Sequence, residues 1–209
     1  MRSTSVTADD SKREGCKFRA TPTLVLIAIN VGMYVYTSLL SGNFVTTSID
    51  VLAFYGQWNL AVFNGYYWQL ITSMFVHVSI VHIASNMLFL FIFGLEAEKL
   101  FSTVEYYFIY LSSGLAGNLL SLLAGPDLLS AGASGAIFGV FGANVIFMRR
   151  AVGQSIFVSL MFAFMFFVLT ASEGTNLWAH LGGLLTGLLL GYAFASSRKF
   201  VKRKSRYAF

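Results

Sequence analysis

Residues 174–197 read GTNLWAHLGGLLTGLLLGYAFASS, 24 residues without a charge between Glu173 and Arg198. A helix of that length rises about 36 Å, enough to cross the ~30 Å hydrocarbon core of a bilayer with some tilt. Working outward, the other long charge-free intervals are 20–49, 51–95, 106–126, 128–148 and 151–172. The second has 45 residues and as one helix would extend about 68 Å, so it holds a span and something else. Within it, Phe54, Tyr55, Trp58, Tyr66, Tyr67 and Trp68 are interspersed with Gly56, Asn59, Asn64 and Gly65, the mixture of a segment lying at headgroup level. Spans are therefore expected near 23–41, 79–97, 105–123, 134–148, 155–171 and 177–196. Lipid tolerates only helices or closed barrels, and none of these runs alternates with period two. The expected fold is all-α: a tail over 1–21, a six-helix membrane domain over 22–197 with a first outer loop at 42–78, and a basic tail over 198–209.

Composition agrees. Of 209 residues, 56% are hydrophobic and 11% charged, against roughly a quarter charged in a soluble domain, which excludes an ordinary soluble globule. Cys16 is the only cysteine, so no intrachain disulfide can form and CxxC-type metal or redox sites are excluded. The net charge of +5 takes its meaning from placement. Arg2, Lys12, Arg13, Lys17 and Arg19 precede the first span, Lys99 follows the second, Arg149 and Arg150 the fourth, and the six from Arg198 to Arg206 the last. All fourteen fall on one side of a six-pass arrangement, and the opposite loops carry only Asp50, Asp127 and Glu173, so both termini are expected in the cytoplasm. The basic tail reads first as a topology determinant, with contact to anionic lipid as the alternative, and nucleic acid is not needed to explain the charge. Residues 1–20 lack the short apolar core of a secretory signal, so the first span is expected to be retained.

Polar groups at membrane depth are costly and point to function. His82 and Asn86, four apart, share a face of the second span; Ser134 opens the fourth within Gly132-Ala133-Ser134-Gly135; His180 lies early in the sixth. Counting to the basic residue that closes each span gives 17, 15 and 18 residues, or about 26, 23 and 27 Å, so three spans present polar groups at one level toward the outer face. A serine hydroxyl needs a base to take its proton, and a histidine with its ordinary pKa near 6.5 suits that task. A serine at a helix start also offers its backbone N–H and the positive end of the helix dipole to an oxyanion, to which His82 and Asn86 could add donors. Gly183, Gly187 and Gly191 line one face of the sixth helix and Gly135, Gly139 and Gly142 the fourth, strips that let membrane helices approach closely. Taken singly, each feature has an ordinary reading: a serine at a helix start as a cap, a buried histidine as interhelical glue, a glycine strip as packing. His77, five residues before His82, reads as a loop or gate residue. His-Glu-x-x-His is absent, which removes the zinc protease, and no span interior carries an Asp, which removes the aspartyl type. A polar-path transporter and a non-catalytic scaffold or chaperone remain as alternatives; against the first stand unbroken spans and the lack of an inverted repeat.

The motifs His77-x4-His82-x3-Asn86, Gly132-Ala133-Ser134-Gly135 and Ala179-His180-Leu181-Gly182-Gly183 together resemble, from about 22 to 195, the rhomboid intramembrane serine proteases of compact six-span prokaryotic form. The resemblance implies Ser134 as nucleophile, His180 as general base, His82, Asn86 and Gly132 as oxyanion or substrate-binding positions, and Gly183 and Gly187 as close-packing glycines. It implies no metal or cofactor, transmembrane proteins as substrates, small residues at the scissile bond, and a cell-membrane site toward the extracytoplasmic leaflet. Two positions depart from the family pattern. Trp68-Gln69 stands where many members have Trp-Arg, which puts the rigidity of the first outer loop in question. Phe138 stands where a tyrosine often stacks on the catalytic histidine, so stacking is kept and the hydroxyl lost. The fifth span, rich in Phe and Met, resembles the family's lateral gate. Because all nine acidic residues lie in tails, loops or inner span ends, the site is expected to be a Ser–His dyad without a carboxylate.

Overall fold

The computed structural model describes residues 21–152, 157, 161 and 176–198. Five long helices organise them: α1 (Pro22–Ser41), α5 (Ile80–Leu100), α6 (Thr103–Ser121), α7 (Ser134–Val152) and α8 (Leu177–Ser197). Between α1 and α5 lie α2 (Ile49–Tyr55), β1 (Gln57–Trp58), α3 (Asn59–Phe63) and α4 (Gln69–Thr72), and β2 (Leu129–Ser130) precedes α7. The expected fifth span, 155–171, lies outside the described residues apart from Phe157 and Met161, both exposed.

Helix starts are set by local chemistry. Thr21 caps α1 with Pro22 in the first turn, where a missing N–H costs nothing. Ser79 Oγ accepts from His82 N at the start of α5, and Ser102 with Glu105 forms a reciprocal capping box on α6. Asn176 caps α8 through Ala179 N. Four described stretches are long and apolar enough to cross a membrane: Pro22–Ser41, Ile80–Leu100, Thr103–Ala124 and Leu177–Ser197. α7 differs because it ends in Arg149-Arg150 and carries Asn144, and its position explains why it can. Every residue from Gly135 to Asn144 is buried, so neighbouring helices surround this stretch, and Asn144 Nδ2 donates to Phe93 O at 2.8 Å.

α8 packs chiefly on α7 and then on α6. A methyl added at Gly183 would overlap the Gly135 carbonyl, at Gly187 the Gly139 carbonyl, and at Gly191 the Ala143 backbone. The constant offset of 48 residues means that α7 and α8 run parallel, backbone against backbone, and the same offset sets His180 level with Gly132 to Ser134. Lipid is as apolar as leucine, so association here rests on close van der Waals contact rather than on excluded water. A second core joins α1, α5, α6 and α7 through Leu26, Phe89, Phe93, Tyr106, Tyr110 and Phe141. All described basic residues, Lys99, Arg149, Arg150 and Arg198, stand at the C-terminal ends of α5, α7 and α8. There Arg198 pairs with Glu105 and donates to the Leu100 carbonyl, tying the end of α8 to the α5–α6 turn.

The expected helical fold carries one short addition: β1 and β2 pair antiparallel, with Gln57 opposite Ser130 and Trp58 opposite Leu129. The first outer loop is also held firmly without the family's arginine. Gln69, fully buried, accepts from Trp58 N at 2.9 Å and donates to the carbonyls of Ala53 at 2.7 Å and Phe54 at 3.2 Å, so a neutral amide closes three backbone bonds across the loop. Phe54, Trp58, Tyr66, Tyr67 and Trp68 are exposed around it, as a segment at headgroup level requires.

Candidate active site

Ser134 is the first residue of α7 and His180 lies in the first turn of α8. The parallel packing of these helices brings their N-terminal ends together, and His180 Nε2 stands 2.8 Å from Ser134 Oγ, within reach for proton transfer. His180 is 7% exposed, shielded in part by Phe138, whose ring centroid is 4.5 Å from the imidazole at an interplanar angle of 33°.

Gly132 has a φ of +141°, a conformation that side chains rarely adopt. A Cβ there would come within 2.8 Å of His82 Cε1 and 3.1 Å of Nε2, so the absent side chain lets the His82 ring sit against the backbone just before Ser134. Gly132 N donates to Ser73 O at 2.9 Å, fixing the turn to the end of the first outer loop. Ser134 N–H belongs to a first helical turn, whose N–H groups lack intrahelical acceptors. That N–H and His82 Nε2 therefore flank the serine as possible donors to a negative oxygen. Asn86 is fully buried, and one N–H of its Nδ2 donates to the His82 carbonyl at 2.8 Å, which leaves the second N–H of the amide for another acceptor. In this arrangement it holds the backbone of the turn that carries His82.

His77, read as a loop or gate residue, lies in the loop before α5. It is fully buried, edge-on to His82 with ring centroids 5.3 Å apart, and its Nδ1 is 3.2 Å from Phe75 O. Its place is behind His82, where burial pushes its pKa down to about 3 and the neighbouring His82 adds to the shift. No group of three or more His, Cys, Asp or Glu side chains suited to a metal occurs among the described residues.

A polar network beside the pair was not read from the sequence. Gln57 Nε2 donates to Asn59 Oδ1, Asn118 O and Ser121 Oγ; Asn59 Nδ2 donates to Ser121 O and Gly125 O; Asn118 Nδ2 donates to Leu70 O and Ser73 Oγ. Asn176 Nδ2 joins it through Ser121 Oγ and Ser130 Oγ. The usable signals were Asn118 and Ser121 near the end of an apolar run, and an asparagine four residues before His180.

Comparison with known proteins identifies the family. The Rhomboid domain signature matches residues 64–197. The putative rhomboid protease YdcA of Bacillus subtilis (strain 168) is 34% identical over 141 residues, 65% of this chain and 71% of that protein. RHOMBOID-like protein 6, mitochondrial, of Arabidopsis thaliana is 35% identical over 142 residues, 65% of this chain and 46% of that protein. Rhomboid protease GluP of Bacillus subtilis (strain 168) is 30% identical over 183 residues, 84% of this chain but 35% of the relative. The matched segment thus spans about half or less of two of these three relatives. It covers well over half of this chain, which with its several membrane-length helices is a multi-pass membrane protein belonging to the rhomboid family.

Proposed function

We propose that the protein is an intramembrane serine endopeptidase that cleaves transmembrane proteins in or near their spans. The observation that carries this reading is the 2.8 Å contact between His180 Nε2 and Ser134 Oγ at one end of a bundle of membrane-length helices. Ser134 Oγ attacks the scissile carbonyl carbon while His180 Nε2 takes its proton. The carbonyl oxygen becomes an oxyanion, met by the Ser134 N–H, the N-terminal field of α7 and His82 Nε2–H. His180 then returns the proton to the leaving amine, and the acyl group remains on Ser134. Water, deprotonated by His180, attacks that ester and frees the enzyme. Gly132 leaves room for His82 and the substrate backbone, Phe138 steadies the imidazole, and Gly183 and Gly187 hold the two helices close enough for the pair to meet. The chemistry calls for no metal or cofactor.

The wider setting belongs to the same proposal. Six spans over 22–197 place both tails in the cytoplasm of a cell-membrane protein, the basic tail against anionic lipid and the site toward the extracytoplasmic leaflet. The test is cleavage of a single-span substrate by the purified protein in liposomes. Ser134→Ala and His180→Ala should each abolish cleavage while leaving folding intact. Asn86→Ala should cost less than the 10²–10³-fold typical of a lost oxyanion donor, because His82 and the Ser134 N–H remain as donors to the same oxygen. Cleavage by Ser134→Ala at the wild-type rate would leave a scaffold or a transporter as the better reading.

A further inference from the structure

We propose that Asn176 is a positioning residue for His180, tying the outer end of α8 to the first outer loop through Ser121 and Ser130; this rests on the reading of Ser134 and His180 as a nucleophile–base pair. The side chain of Asn176 makes three bonds. Its Oδ1 accepts from Ala179 N at 3.1 Å, and its Nδ2 donates to Ser121 Oγ at 2.5 Å and Ser130 Oγ at 3.0 Å. A backbone N–H can only donate, so the amide orientation is settled by its partners: oxygen to the helix, nitrogen to the serines. The backbone O of Asn176 also accepts from His180 N at 3.3 Å, so capping residue and histidine are one helical turn apart.

The two serines belong to different parts of the molecule. Ser121 closes α6, where Gln57 Nε2 also reaches its Oγ and Asn59 Nδ2 its carbonyl. Ser130 lies in β2, paired with Gln57 of β1 and two residues before Gly132. One amide thus joins the helix that carries His180, the end of α6, and the strand that leads to Ser134. The tie adds a polar restraint at the end of α8 where the α7–α8 interface is lined with glycines, which permit close approach, and where Phe138 packs on His180. A misplacement of 1 Å can cost about 100-fold in rate.

The test is the rate at which a fluorophosphonate labels Ser134 in the purified full-length protein, with Ser134→Ala as the blank. In this reaction Oγ bonds phosphorus, fluoride leaves and His180 takes the proton. The final labelled fraction reports how much protein is folded, and the rate constant reports the pair within that fraction. Asn176→Ala should label about 10–100-fold more slowly. Ser121→Ala/Ser130→Ala, which keeps the α8 cap, should slow by about tenfold with an unchanged labelled fraction. Asn176→Asp, whose carboxylate can cap the helix and accept from both serine hydroxyls, should recover to within about threefold of wild type. A double serine variant that labels at the wild-type rate, or an Asn176→Ala protein that loses only labelled fraction, would overturn the proposal and reduce Asn176 to a cap. Should Asn176→Ala fail to fold, the double serine variant decides alone. Wild-type protein left unlabelled at Ser134 would instead bring down the nucleophile–base reading, and this proposal with it.

Discussion

A serine hydroxyl is inert until a base removes its proton, and on the proposed reading the base for Ser134 is His180, from another helix 46 residues further along the chain. In soluble serine proteases a buried aspartate orients the histidine, and changing it to asparagine costs about 10⁴ in turnover. Here Asp50 and Asp127 of the outer loops are exposed, the first in α2 and the second just after Pro126. Asp50→Asn and Asp127→Asn should therefore each keep most of the wild-type cleavage rate, and Glu173→Gln likewise on its loop position; a folded variant with a loss of three or four orders of magnitude would mean a triad. His77 makes a prediction about stability rather than rate. Burial holds its folded pKa near about 3 against an ordinary 6.5. Below pH 6.5 the unfolded chain gains a proton that the folded one does not, so stability is full above 6.5 and declines as the pH falls toward 3. At 1.36 kcal/mol per pH unit, the fall from pH 6.5 to 4.5 comes to about 2–3 kcal/mol. Denaturant unfolding in detergent at the two pH values should show this decline, and His77→Phe should make it shallower by His77's share. A slope unchanged by the substitution would place the acid sensitivity elsewhere.

At the level of elements, the contact between α7 and α8 sets everything above it, because the same 48-residue offset that matches Gly187 to Gly139 brings His180 to the height of Ser134. Gly187→Ala would drive a methyl into the Gly139 carbonyl, a backbone atom that cannot turn aside. A loss of about 1–3 kcal/mol is expected for such overpacking, with a larger loss of cleavage as the pair separates. Gly32→Ala on α1, where a Cβ meets nothing within 4 Å, should be neutral or slightly stabilising, since alanine favours a helix over glycine by about 1 kcal/mol. Thermal unfolding of the two variants in one detergent compares them directly. The glycine strips were legible in the sequence because their spacing has the helical period, and Ser134 and His180 because polar groups stood at one depth in otherwise apolar runs. The polar network was not, because its contacts are long-range: Gln57 meets Ser121, and Asn176 meets Ser130, across segments whose Asn, Ser and Gly residues read as ordinary turns. Gln69 escaped for a related reason. Its role depends on backbone carbonyls at 53 and 54 that no side-chain pattern announces.

For the whole molecule, the described basic residues gather at one end of the bundle and the Ser134–His180 contact lies at the other. This polarity was legible in the sequence as charge spacing, since each helix that begins with a site residue ends near a lysine or arginine. The central burial of α7 was not, since its charge-free run looks like any other span, and only packing distinguishes a helix enclosed by neighbours from one facing lipid. On the proposed topology, charge polarity sets the direction of insertion, because positively charged loops are retained on the cytoplasmic side. The site should therefore open toward the outer leaflet. In a Cys16→Ser background, single cysteines at 45–60, within the first outer loop, or at 173–175 should react with an impermeant thiol reagent added to intact cells. Cysteines near 150, beside Arg149 and Arg150, or near 203 in the basic tail, should react only after the membrane is opened. The two sets report opposite ends of the same bundle, so a reversed pattern would be coherent and would place Ser134 and His180 toward the cytoplasmic leaflet. Cysteines at 173–175 that react with the set near 150, while those at 45–60 stay opposite, would instead require an even number of spans between 150 and 173, and the segment around 155–171 would then have to be removed from the six.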